Sequence, residues 1–221
     1  MTSIPILVLR LDGVLQSWGE HSKWNYRDSA AMPTKSGIVG LLGCALGFSR
    51  EDKRLAELQR NIRMAVRADR PGTMMVDYQT IRSKRLLNAE GKIRANGDTI
   101  LSFRTYLQDA YFTVLLTGKV EILEYLSEAL NKPKWPIYLG RKSCVPSRPV
   151  CDGITTTYSS LKEALRELSS PESGKMLVEM DASAGDTVIE RRDVNDGYRI
   201  FRSRSVTRTF ITKESAQDVP E

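Results

Sequence analysis

Residues Ile4 to Leu11 read IPILVLRL, and Asp12-Gly13 follows at once. A short, β-branched-rich apolar run that stops at a turn pair predicts a buried first strand. Working outward, Val14 to Met32 is polar and aromatic without a period. It predicts a long loop holding Trp18, Trp24 and Tyr26, of the kind that is functional or ordered by a partner. Pro33-Thr34 then opens a helix. Thr34 can cap it, and Ile38, Leu41, Leu42, Ala45 and Leu46 fall at helical spacing. A second helix is expected over Glu51–Gln59, and strands over Ile62–Ala68 and Met74–Ile81. Ser83–Asp98 is basic, carries Gly91 and Gly97, and reads as a protruding hairpin or mobile loop. Strands Ile100–Tyr106 and Tyr111–Leu116 follow. Over Val120–Leu130, Ile122, Leu123, Leu126 and Leu130 form one stripe while Glu121, Glu124 and Glu128 face out, which makes an amphipathic helix. The order strand, helix, strand, strand, helix matches the split βαβ plan of a ferredoxin-like fold with insertions. After Pro133 the chain turns irregular, with a helix at Leu161–Leu168 and strands near Lys175–Met180, Thr187–Arg191 and Tyr198–Ser205. Thr212–Glu221 reads as a frayed tail.

The chain has 221 residues, 41% hydrophobic and 27% charged. That is an ordinary soluble composition, large enough for one or two domains of about 100–200 residues. No apolar run reaches the roughly 18 residues that span a bilayer. Met1–Leu9 lacks the basic start of a signal peptide. Three cysteines, an odd and sparse set, fit free thiols in a reducing cytoplasm.

Charge is sorted along the chain. The net charge is +6. From Arg82 to Arg94 there are five basic residues and one acid, and from Arg191 to Arg208 six arginines and two acids. Tyr198 and Phe201 interleave with the second cluster. Guanidinium forks fit phosphates in pairs and rings stack on unpaired bases, so this composition favours RNA or another single strand.

Catalytic constellations are thin. Arg10-Leu11-Asp12-Gly13 follows a first strand as a phosphatase loop does, but Arg10 stands where the nucleophilic aspartate would be. Lys35-Ser36-Gly37 with Gly40 and Gly43 has its glycines after the lysine, the reverse of a Walker loop. These glycines fit a helix that closely approaches a sheet, while the helix start, with Lys35, can still bind an isolated phosphate. His21 is the single histidine. It stands in a polar loop without a matched acid or base, and no metal-ligand spacing appears.

Four segments together resemble one family. They are Leu7–Gly13 running to Leu15-Gln16-Ser17-Trp18-Gly19; Pro33-Thr34-Lys35-Ser36-Gly37-Ile38-Val39-Gly40-Leu41-Leu42-Gly43; Phe103-Arg104-Thr105-Tyr106-Leu107-Gln108-Asp109-Ala110; and Tyr138-Leu139-Gly140-Arg141-Lys142-Ser143-Cys144. In this order they resemble the Cas-five (CasD) family of CRISPR-associated proteins, nearest the type I-E Cascade branch. The likeness covers most of Ile4–Pro149 and is loose beyond it.

The resemblance implies an α+β fold: a ferredoxin-like (RRM-like) domain over residues 1–150, with a protruding β-hairpin thumb at about 76–104, and a smaller β-rich region over 151–221. It implies a non-catalytic, cytoplasmic subunit that grips the 5′ handle of the CRISPR RNA (crRNA) and touches the backbone and large subunits of the complex. Target DNA near its PAM-proximal end is a further candidate partner, and no membrane, cofactor or metal is implied. In type I-C relatives the same family is a metal-independent endoribonuclease that processes precursor crRNA. Asp77-Tyr78-Gln79-Thr80 here lacks the histidine that some relatives carry in that motif, which favours binding over cleavage. The expected RNA contacts are Lys35, Ser36 and Gly37 at the helix start, Arg82, Lys84 and Arg85 in the thumb, and Arg104 and Tyr106 at its return. Arg141, Lys142 and Ser143 in the turn, and Arg202 and Arg204 in the arginine cluster, complete the set.

Overall fold

The computed structural model describes residues 3–23, 25–83, 86–87, 91–93, 99–197 and 200–214. Its frame is a seven-stranded antiparallel sheet. The opening strand, β1 (Ile6–Asp12), lies inside that sheet, between β7 (Tyr111–Thr117) and β8 (Cys151–Thr155). Beyond β7 come β4 (Arg63–Arg70), then β9 (Gly174–Asp181), β11 (Ile200–Lys213) and β10 (Ile189–Gly197) at the far edge.

Both sides of the sheet are covered, which is why β1 reads as a continuous apolar run and not as an alternation. On one side Leu7, Leu9, Leu11, Val66, Phe112 and Val114 pack under α1 (Lys35–Leu46), α2 (Lys53–Asn61) and α3 (Val120–Asn131). On the other, Ile6, Val8, Ala65 and Leu115 meet Ala164 and Leu165 of α4 (Leu161–Glu167). The helix start expected at Thr34 is observed, the Thr34 hydroxyl accepting from the Gly37 amide at 3.1 Å.

Arg10, the one charge in IPILVLRL, is buried for a reason. Its Nη1 donates to Thr113 Oγ1 at 2.7 Å and to the Ser169 carbonyl at 2.9 Å, and its Nε to Asp152 at 2.9 Å. Arg67, fully buried beside it, pairs with Asp69 and donates to the carbonyls of Leu165 and Leu168. Two guanidinium groups thus take the carbonyls of Leu165, Leu168 and Ser169 at the end of α4, where a helix leaves its last carbonyls without intrahelical partners.

A second, smaller sheet stands off the first. Its central strand is β6 (Thr99–Gln108), paired along ten positions with β5 (Thr73–Arg82). The other edge of β6 takes β2 (Leu15–Gln16) and, in parallel, β3 (Tyr26–Arg27). The aperiodic stretch Val14–Met32 is therefore not a free loop. A bridge from Trp18 to Ala30 closes it, and the Trp18 ring is buried at 1% exposure.

Other expectations shift. The division expected near residue 150 falls inside one sheet, since β8 pairs with β1 and β9 with β4. Strand β8 is not marked by periodicity, because five residues with a central glycine leave no readable alternation. Strand β11 continues through Lys213 with Ile211 in the core, so Thr212 and Lys213 belong to a strand, and the rest of the expected tail, residues 215–221, lies outside the described residues.

Candidate nucleic-acid interface

Strands β5 and β6 span the residues expected to form the thumb, and the two faces of the pair differ. Met74, Val76 and Tyr78 on β5, Leu101 and Phe103 on β6, and the adjoining Tyr26 are all exposed on one face. Tyr78 and Phe103, cross-strand partners, stack with ring centroids 5.2 Å apart. A strand face this apolar in water is the mark of an interaction surface.

The opposite face is polar and turns toward the body. Asp77 and Arg104 are register partners across the hairpin, and Arg27 is the partner of Arg104 across the other edge. Next along β6, Tyr106 is buried and cannot present its ring to a base. It supports Arg141 instead, whose guanidinium lies 4.7 Å from the ring centroid. Arg141 Nη2 donates to the carbonyls of Arg27 at 2.9 Å and Asp28 at 3.3 Å. Among the described residues, four buried polar side-chain atoms have no hydrogen-bond partner, and all lie in this small region: Ser102 Oγ, Arg104 Nε, Thr105 Oγ1 and Arg141 Nη1. Buried polar groups are almost always paired, so unpaired donors on two cations mark a place for an anion.

The loop that carries Arg27 and Asp28 is itself pinned. Asp28 accepts from the Ser22 hydroxyl at 2.6 Å and the His21 amide at 2.7 Å. Burial pushes its carboxyl up, but the Ser22 hydroxyl and the amides of His21 and Glu20 outweigh that and leave it below its ordinary value.

A groove of about 820 Å³ opens on the other side of the same turn. Ser36, Gly37, Gly40 and Gly43 of α1 line one wall, and Trp135, Tyr138, Gly140 and Lys142 line another, with Phe48 and Arg50 also contributing. Ser36, Gly37 and Lys142, expected as RNA contacts from distant parts of the sequence, therefore meet in one place. Cys44 lies in this lining, and burial pushes its thiol up against the pull of Lys142.

Two expected RNA contacts are turned inward, and the reason is local acid. Lys35 Nζ pairs with Asp181 at 3.1 Å, and its backbone amide donates to Asp193 Oδ2 at 2.7 Å. An internal carboxylate thus occupies the helix start that the sequence offered to a phosphate. Arg204 pairs with Asp193 at 2.7 Å, Asp181 at 2.6 Å and Glu179 at 3.4 Å. Burial works against its charge, but Asp193, then Asp181 and Glu179, outweigh it and hold the guanidinium above its ordinary value. Arg191 pairs with Glu179 and with Glu20 and donates to the Met32 carbonyl, and Arg208 reaches Glu179 at 2.8 Å. Half of the C-terminal arginine cluster therefore braces the fold: Arg191, Arg204 and Arg208.

The remaining expected contacts lie at the surface. Arg82, Lys142, Ser143 and Arg202 are exposed, and Lys84 and Arg85 lie outside the described residues. His21 is exposed in its loop. Gln79 donates to Asp77 at 2.6 Å. Among the described residues no three His, Cys, Asp or Glu side chains gather to hold a metal, and no helix is long and apolar enough to cross a membrane. Arg27, Arg50 and Trp135 also reach these sites, although no periodicity or motif marks them. Each is a single residue in an irregular stretch, and only the fold brings it to a site.

Residues 6–213 match the family model described as CRISPR-associated protein (Cas_Cas5). The Escherichia coli (strain K12) protein "CRISPR system Cascade subunit CasD" is 35% identical over 173 residues, 72% of this chain and 75% of the relative. A chain of a structure described as "CRISPR RNA-guided surveillance complex" superposes with a TM-score of 0.72 at 28% identity, covering 94% of this chain and 90% of that one. Another, described as "Crystal structure of Cas protein", gives 0.70 at 35% identity, over 94% and 95%. The chain belongs to the Cas5 family of CRISPR-associated proteins.

Proposed function

We propose that this protein is the non-catalytic crRNA-binding subunit of a type I-E Cascade complex, gripping the 5′ handle of the RNA in the cytoplasm. The observation that carries this reading is the pair of unpartnered guanidinium donors, Arg104 Nε and Arg141 Nη1, at the base of the thumb. Buried cationic donors without acceptors are costly, and a bound phosphate offsets that cost. Single-stranded RNA supplies such a phosphate with unpaired bases beside it. The relative named as a Cascade subunit supports the same assignment.

The fold supports a ferredoxin-like core within the chain. The run β1, α1–α2, β4, β7, α3, β8 with spatial order β4-β7-β1-β8 has the split βαβ arrangement. The apolar face of the thumb, with Tyr78 and Phe103 exposed, supports a protein neighbour there, which we assign to the backbone subunit. The large subunit and the PAM-proximal target DNA take other surfaces.

The test is to mix purified protein with labelled repeat RNA of its source organism in EDTA, and to run a gel shift and a denaturing gel together. Binding with the RNA left whole is the expected result. Cleavage at one site, leaving a 2′,3′-cyclic phosphate, would replace this reading with the endoribonuclease of type I-C relatives.

A further inference from the structure

The outer edge of β5 is open. Its ten residues pair with β6 in one unbroken register, and among the described residues no other strand or backbone hydrogen bond meets its far side. An open edge is a template for another strand, and soluble chains blunt such edges with proline, lysine or a bulge. Strand β5 carries none of the three: Thr73-Met74-Met75-Val76-Asp77-Tyr78-Gln79-Thr80-Ile81-Arg82 runs without proline, lysine or register shift. The other side of β6 holds β2 and β3, so β5 is where a long strand can add to this sheet.

The strand is also complementary to itself. Met74, Val76 and Tyr78 lie on the exposed face, and Met75, Asp77 and Gln79 on the half-buried one. Two antiparallel copies keep these faces in phase only when the two-fold axis passes through a residue. An axis at Asp77 sets two carboxylates opposite each other, and like charges so placed destabilise a sheet. An axis at Tyr78 sets Met74 against Arg82 and Val76 against Thr80, which breaks the apolar face. An axis at Val76 avoids both. It sets Val76 against Val76 of the second copy, Met74 against Tyr78 on either side, Met75 against Asp77 and Thr73 against Gln79. The apolar face then runs unbroken from the stacked Phe103 and Tyr78 of one copy to those of the other. Thioether–ring contacts favour the two Met74–Tyr78 pairs.

From this we infer that the free subunit dimerises by pairing β5 with β5 of a second copy, antiparallel about Val76. The run β6-β5-β5-β6 has four strands and an apolar face, past the three that give a small sheet stability. Each copy offers one such edge, so the contact is isologous and closes at two. Seven paired residues make a ladder only about 23 Å long. A contact one strand edge deep along that length falls short of the roughly 800 Å² per partner of a standard interface, so the dimer is weak and comes apart on dilution. It shields part of an apolar face that otherwise stays in water until a neighbour covers it. The inference stands on the strand edge and is independent of the RNA-binding reading above.

Sedimentation equilibrium of the full chain, freed of RNA, over about a hundredfold range of concentration tests this. The parent should pass from monomer to dimer and go no further. Val76→Lys sets two like charges at the axis and should stay monomeric throughout, and so should Val76→Glu. Val76 is 55% exposed, so both variants should melt within about 2 °C of the parent. An equal mixture of the two sets lysine opposite glutamate and should recover the dimer. Thr80→Lys, outside the seven-residue ladder, should dimerise as the parent does. A parent that stays monomeric overturns the inference and leaves the edge to another protein. A dimer that persists in Val76→Lys lies on another surface and overturns it as well. A mixture no more dimeric than its parts, or loss of the dimer in Thr80→Lys, refutes pairing about Val76.

Discussion

Two sets of arginines in this molecule have the same chemistry and opposite roles. On the C-terminal strands, the side chains of Arg191 and Arg204 are almost fully buried and each faces at least two carboxylates. At the thumb base, Arg104 and Arg141 each keep a buried N–H with no acceptor. Sequence clustering points first to the C-terminal set, where six arginines fall within eighteen residues. Structure favours the other set. A guanidinium whose partners are all internal braces the fold, and one whose partners are incomplete waits for an anion. Counting the acids in space decides between the two, and Glu20, Glu179 and Asp181 lie outside the arginine-rich segment in sequence and so escape a count along the chain.

The largest effect should come from breaking the brace. Arg191→Met leaves Glu179, 1% exposed, short of a partner and frees Glu20 and the Met32 carbonyl. Removing one partner of a buried pair costs about 3–5 kcal/mol. For a chain of this size that is a fall of roughly 10 °C in melting temperature, read by circular dichroism or scanning calorimetry. A change under about 2 °C would show that Arg191 is not structural and would reopen the C-terminal cluster as an RNA surface.

Arg104→Ala should do the converse. Stability should change by less than about 1 kcal/mol, while RNA affinity falls and the slope of log affinity against log salt drops by about 0.7, one phosphate contact on a single strand. A salt titration by fluorescence anisotropy reads both. An unchanged slope with lower affinity would mean that Arg104 acts without touching a phosphate. The apolar face of the thumb separates a third role. Tyr78→Glu with Phe103→Glu should leave the melting temperature within about 2 °C, because both side chains are exposed, and should abolish co-purification with the backbone subunit. Retained co-purification would move that contact elsewhere.

Much of the fold was legible because periodicity reports burial. IPILVLRL, the α1 stripe and the α3 stripe each carry one pattern and one answer. The stretch Val14–Met32 was not legible, because its order comes from two-residue pairings with β6 and from the buried Trp18, none of which has a period. Site residues divided in the same way. Lys142, Ser36 and Gly37 were expected from motif resemblance and meet in one groove. Arg204 and Lys35 were expected from charge and are held by Asp181 and Asp193, acids that a one-dimensional count places at a distance or cannot orient. Tyr106 was expected as an RNA contact and instead supports Arg141, because its position on β6 faces the body.

The smallest expected effect concerns how Arg141 is held in place. Its Nη2 rests on the carbonyls of Arg27 and Asp28, and that loop is closed by the Asp28 carboxylate. The Asp28 pKa is depressed in the folded chain, so its contribution is present above the unfolded aspartate value of about 4 and is lost as pH falls through the lower folded value. Asp28 is only partly buried, so the contribution to stability is screened and small, about 0.5 kcal/mol or less. Asp28→Asn should therefore flatten the pH dependence of melting below about pH 4 by only a degree or so. Its effect on RNA should be clearer, since the Asn side chain cannot accept from Ser22, His21 and Glu20 as a carboxylate does, and the carbonyls under Arg141 loosen. At pH 7 we expect affinity for repeat RNA to fall by a few-fold with the salt slope unchanged, because no phosphate contact is removed. A slope that drops as it does in Arg104→Ala would show instead that Arg141 has left the phosphate altogether, and that the loop decides whether the thumb base is an anion seat.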